Sequence, residues 1–104
     1  MFGITEDGTY RVESIGFSTP ELTEGYVVAV RPIQREADIP TEGTLFGRWT
    51  DEDGTVYWDE VEVIGNIWYA LDTANRRGEL AIWDLAESRE LRVADYYPAI
   101  NFID

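Results

Sequence analysis

Any fold this chain adopts must accommodate 21 carboxylates with only eight cations to offset them, all arginine, for a formal charge of -13. Burying an unpaired charge is so costly that nearly all of these groups must stay at the surface. What remains for the interior is ample. Hydrophobic residues make up 44% of the chain, and Trp49, Trp58, Trp68 and Trp83 are joined by six tyrosines and four phenylalanines, side chains that bury large areas. A disordered chain of this charge would be poor in such residues. At 104 residues a single folded domain over 1–104 is expected.

The missing residue types narrow the chemistry. Without cysteine there is no disulfide framework and no thiolate metal site. Without histidine the commonest general base and the commonest transition-metal ligand are gone. Ser14, Ser18 and Ser88 have neither a histidine nor a lysine to activate them. No P-loop or Gly-x-Gly-x-x-Gly run occurs. Among so many acids some pair meets any catalytic separation by chance, so paired carboxylates carry no signal for glycoside hydrolysis. The expectation is a protein that is not an enzyme and takes neither cofactor nor metal. Met1-Phe2-Gly3-Ile4 leads straight to Glu6 and Asp7, without the basic and apolar regions of a signal peptide. No apolar run approaches the roughly 18 residues of a membrane-spanning helix, so a cytoplasmic protein is expected, in the host cytoplasm if phage-encoded.

Alternation of Tyr10 and Val12 with Arg11 and Glu13 predicts a half-buried strand over Thr9–Ser14. Thr19-Pro20-Glu21 reads as a turn or a short helical start. The run Tyr26-Val27-Val28-Ala29-Val30 predicts a central strand that Pro32 stops. From Pro32 to Gly43 the chain reads as loop, with Ile33 and Ile39 turned inward. Thr44–Thr50 and Thr55–Ile64 form a hairpin across Asp51-Glu52-Asp53-Gly54, Gly54 supplying positive φ. Val56 and Trp58 share one parity and Val61 and Val63 the other, which predicts a bulge or a bend at Asp59-Glu60. Ile67, Leu71 and Ala74 predict a helix over 66–77, with Asn66 as its cap and Gly78 past its end. Leu80–Leu85 and Glu90–Val93 predict a second hairpin, and Tyr96–Ile103 a last edge strand. The fold class expected is α+β, a mostly antiparallel sheet of about five strands with one helix on a face.

Six acids crowd the stretch Asp51–Glu62 with no basic residue among them: Asp51, Glu52, Asp53, Asp59, Glu60 and Glu62. A calcium loop would require an oxygen ligand two positions before Asp51, where Trp49 stands. These six carboxylates are the candidate partner-binding residues, with Trp49 beside the turn as the aromatic anchor. Trp58 and Trp83, in apolar strands, are assigned to the core. For a chain of this length the radius of gyration is about 13 Å. DNA carries one charge per about 1.7 Å of its axis, a comparable density. A carboxylate face of this kind suits a basic protein surface, such as that of a nuclease or another nucleic-acid-binding protein. Direct contact with nucleic acid or membrane is not expected. Three readings of the charge stay open: mimicry of DNA, an acidic protein-interaction or virion structural module, and adaptation to a salty habitat.

From about Tyr26 to Leu85 the chain resembles one module of the ArdA-type antirestriction proteins. The shared features are the apolar strand Tyr26–Val30, the step Gly47-Arg48-Trp49-Thr50-Asp51 followed by acids, and Glu79-Leu80-Ala81-Ile82-Trp83-Asp84. The resemblance implies a non-enzymatic DNA mimic that blocks a restriction enzyme. This chain has room for about one module where that family strings several together. Leu80–Leu85 after the arginine-bearing helix is also similar to small uncharacterised acidic proteins of actinobacteria and their phages. The habitat reading predicts a chain that unfolds below molar salt, because its charges then repel unscreened. Cooperative thermal unfolding in dilute buffer, followed by circular dichroism, removes that reading; loss of structure on desalting supports it.

Overall fold

Strand β1 (Gly8–Val12) turns its apolar residues Tyr10 and Val12 inward and pairs antiparallel with the two-residue β2 (Phe17–Ser18) and with β4 (Leu45–Thr50). β4 pairs in turn with β5 (Val56–Ile64). β3 (Tyr26–Pro32), helix α1 (Ile67–Arg76), β6 (Ala81–Asp84) and β7 (Arg89–Arg92) complete the regular elements, with two short 3-10 turns at Glu36–Asp38 and Val93–Asp95. The fold is α+β, with seven mostly antiparallel strands and one helix among the described residues. This computed structural model describes residues 3–39 and 41–97, so the edge strand expected over Tyr96–Ile103 lies largely outside the described residues. Among the described residues no helix is long and apolar enough to cross a membrane.

The chain divides into two compact units, Met1–Glu21 with Ala29–Glu62, and Leu22–Val28 with Val63–Asp104. In the first, the strand order is β2-β1-β4-β5-β3. Its core gathers Tyr10, Val12, Ile33 and Phe46, with Ile4, Phe17, Ile39 and Trp58 packed against them. Phe46 is fully buried and organises this cluster, stacking on Tyr10 at 5.5 Å and meeting Phe17 edge-on at 5.1 Å. Such ring pairs add about 0.5–1.5 kcal/mol each beyond their buried area. Ile33 and Ile39 tuck inward as their sequence context predicts.

In the second unit β3 pairs with β6 and β6 with β7, while α1 lays Ala70, Leu71 and Ala74 over Val28, Ile64, Ile82, Leu91 and Val93. The helix starts where Asn66 accepts the Tyr69 N–H through its side chain at 3.0 Å. It ends where Glu79 N–H reaches Ala74 O at 2.9 Å and Gly78 N–H reaches Asn75 O at 3.2 Å. That pair of bonds needs the left-handed backbone of Gly78, at φ 74°. Asp84 is buried in this unit and accepts the Glu87 N–H in the β6–β7 turn.

Several expectations are corrected. The described residues form seven strands where about five were expected; the short β2 carries too little pattern to be read in advance. The helix spans Ile67–Arg76, with Asn66 as the N-cap that the sequence predicts and Arg77 as the C-cap. Thr19, Pro20 and Glu21 form no regular element, whereas β3 does stop at Pro32, its last residue. No bulge interrupts Asp59-Glu60, because the pairing runs without slip from Thr50↔Val56 to Leu45↔Val61. The parity change arises because Trp58 packs on Phe46 on one face while Val61 is buried on the other. Trp83 is 44% exposed, since alternation sends Ile82 and Asp84 inward and Trp83 outward. Trp68, off the Ile67–Leu71–Ala74 stripe, is 59% exposed. Leu71→Ala should therefore cost about 2–5 kcal/mol, and Trp68→Ala only about 1 kcal/mol through its edge contact with Tyr96. Urea denaturation checks the order, and a larger loss at Trp68 contradicts this placement of the helix.

Candidate partner-binding site

The β4–β5 turn is built by the acids that crowd it. Asp51 Oδ1 accepts the N–H groups of Asp53 and Thr55, each at 3.0 Å, and Asp53 Oδ1 accepts the Thr55 hydroxyl at 2.6 Å. Gly54 N–H closes onto Asp51 O at 3.1 Å, and Gly54 takes the positive φ of 88° that its place in the turn requires. The Asp53 carboxyl is held below its ordinary value, first by its hydrogen bond with Asp51 and then by Thr55. Asp51 in turn raises the Tyr57 phenol above its ordinary value by accepting its hydrogen bond. Glu52 stands exposed at the turn.

Pairing about this turn sets Trp49 directly opposite Tyr57. Their rings stack at 4.4 Å with a 16° interplanar angle, and both stay exposed, at 47% and 40%. Gly47 faces Asp59 across the ladder and brings no side chain. The Trp49 indole reaches diagonally to Asp59 and donates its Nε1–H to Oδ2 at 3.1 Å. Burial pushes the Asp59 carboxyl above its ordinary value, with the indole N–H pulling the other way.

Alternation along β5 divides the six candidate acids. Asp59 shares a face with Trp49 and Tyr57, whereas Glu60 lies on the opposite face, opposite Phe46 in the register. There Glu60 is engaged by Arg31, whose Nε stands 3.2 Å from Oε1. Glu62 shares the parity of Glu60. The structure thus brings together Trp49, Asp59 and the turn acids Asp51, Glu52 and Asp53, and sets Glu60 and Glu62 apart from them. Tyr57 belongs to the cluster and was not singled out from the sequence. Counting outward from Asp53 finds it, since Trp49 and Tyr57 lie equally far from that turn residue.

The neighbouring cation does not neutralise this face. Arg48 points the other way, over the Trp58 ring at 5.7 Å, with Nη1 2.6 Å from Asp7 Oδ1. Arg35, Arg76 and Arg92 pair with Asp38, Asp72 and Glu90. Among the described residues Asp51, Glu52, Asp53 and Asp59 enter no ion pair, and no group of three acids stands where it could hold a metal ion. A cavity of about 480 Å³ beside the Arg31–Glu60 pair is lined also by Asp38, Thr41 and Thr44, and another of about 470 Å³ lies beside Glu24 and Asp84. Comparison with family models, with curated proteins and with solved structures gives no match to this chain.

The raised value at Asp59 fixes the sign of a pH effect. The folded state holds the proton more tightly than the unfolded chain, so from the ordinary value of 3.8 upward ionisation costs stability until the folded group has lost its proton. Asp59→Asn keeps an oxygen for the Trp49 N–H and removes that cost. At pH 7 this variant should be at least as stable as the parent, with a flatter stability profile above pH 4, measured by urea denaturation across that range. A variant less stable at neutral pH than at pH 4, relative to the parent, contradicts the burial of a charged Asp59.

Proposed function

We propose that this protein is a non-catalytic acidic binding protein that docks, through the β4–β5 hairpin, onto the basic surface of a nucleic-acid-binding protein such as a nuclease. In its particular form the reading is a DNA mimic of the antirestriction kind, encoded by a phage or mobile element and acting in the host cytoplasm. The observation that carries it is the juxtaposition at the hairpin tip of an exposed Trp49–Tyr57 stack with four carboxylates that enter no ion pair among the described residues. Exposed tryptophan and tyrosine are the commonest anchors of protein interfaces. Unpaired charge around an anchor speeds encounter with an opposite surface and excludes like-charged partners. Phosphate-bearing ligands are repelled by the same charge, which favours a protein partner over a nucleic acid.

A second reading, an association module of a virion, draws on a different observation. Trp68, Tyr69 and Leu80 are exposed in the second unit, at 59%, 60% and 73%, and exposed apolar side chains of this size mark contact surfaces. One experiment separates the two. The protein is tested as a competitor of DNA for a panel of nucleases, with Asp51, Glu52, Asp53 and Asp59 changed to Asn or Gln, and its sedimentation is followed over concentration. The first reading expects inhibition, weakened about tenfold or more by the four changes and about threefold or less by Glu60→Gln with Glu62→Gln. Inhibition that survives the four changes discards the hairpin as the docking element. Self-association abolished by Trp68→Ser, with no inhibition, favours the virion reading.

A further inference from the structure

We infer that the Trp49–Tyr57 stack and Asp59 together form a seat for an arginine side chain of the partner, in preference to a lysine. The inference rests on the reading of this hairpin as the docking element, and it names the chemistry that the hairpin selects. Two parallel aromatic rings, 4.4 Å apart and both open to solvent, present electron-rich faces to an incoming cation. Asp59 lies beside them with one oxygen committed to the indole N–H. Its other oxygen, Oδ1, accepts nothing among the described residues and is left for an incoming N–H. The hydrogen bond also fixes the ring plane, so that face and carboxylate are held in one geometry before any partner arrives.

A guanidinium fits this arrangement better than an ammonium does. It is planar and weakly hydrated, so it stacks on an aromatic face and still aims N–H groups sideways at a carboxylate, which a compact, strongly hydrated ammonium cannot do in one pose. The protein already uses that combination internally. On the opposite face of the same hairpin, the Arg48 guanidinium lies 5.7 Å from the Trp58 ring centroid and pairs with Asp7. The outward face repeats the aromatic and the carboxylate, on Trp49 and Asp59, without the arginine. The turn acids Asp51, Glu52 and Asp53 surround the seat and attract either cation, so they supply strength without choosing between the two.

The test compares two peptides of equal length and charge, one alternating glycine with arginine and the other glycine with lysine. Binding to the full chain is measured by calorimetry, and the four indole N–H resonances are followed by NMR. The arginine peptide should bind about fivefold tighter, shifting the Trp49 indole resonance more than those of Trp58, Trp68 and Trp83. Trp49→Leu and Tyr57→Leu should each bring the ratio close to one while leaving the lysine affinity nearly unchanged, and Asp59→Asn should reduce arginine binding more than lysine binding. Asp51→Asn with Glu52→Gln should weaken both peptides alike. Equal affinities, or a preference that survives Trp49→Leu, overturn the arginine seat and leave the acidic docking reading standing. Failure of both peptides to bind overturns the two together. Where a leucine variant does not fold, the indole shifts of the parent decide, and a Trp49 resonance that stays in place sinks the inference.

Discussion

The register of the β4–β5 hairpin is the constraint on which the site and half of the core depend. Side chains alternate along a strand, so a slip of one residue would exchange everything on one face for everything on the other. In the observed register Phe46 faces inward to Tyr10, Phe17 and Trp58, and Trp49 faces outward onto Tyr57. Two independent devices hold that register. Asp51, Asp53 and Gly54 define the turn with hydrogen bonds, and burial of Phe46 penalises any alternative. Aspartates that look like a bare block of charge in the sequence are thus structural first, and their charge is a consequence the fold retains.

Charge is distributed on a similar logic. Arg31, Arg35, Arg48, Arg76 and Arg92 stand against carboxylates close to them. Exposed pairs of this kind contribute little stability, often less than 1 kcal/mol each. None of these five pairs involves Asp51, Glu52, Asp53 or Asp59. Beside those four acids Trp49 and Tyr57 stand exposed.

Much of the fold was legible in advance because its signals are local. The alternation at Tyr10 and Val12, the turn Asp51–Gly54, the cap at Asn66 and the glycine at Gly78 each act through hydrogen bonds or side-chain directions within a few residues. Which face a distant element covers is not a local signal, and there the structure departs from the pattern. A bulge at Asp59-Glu60 followed from assuming that one face of β5 is apolar throughout; instead Trp58 is buried against Phe46 and Val61 on the reverse side. Likewise Trp83 was assigned to the core because its neighbours are apolar. Ile82 meets the helix, and that leaves Trp83 outside.

The candidate site divides in the same way. By itself the sequence determined that acids would cluster at Asp51–Glu62, that Trp49 would stand beside them, and that a turn would lie between two strands, since composition and turn chemistry are properties of the chain alone. Tertiary structure decided the rest: that Tyr57 meets Trp49, that Asp59 joins them while Glu60 is drawn to Arg31 on the other face, and that Arg48 turns away. The reason is that cross-strand pairing and sheet alternation set neighbours by geometry, so residues far apart in the chain meet and adjacent ones are separated.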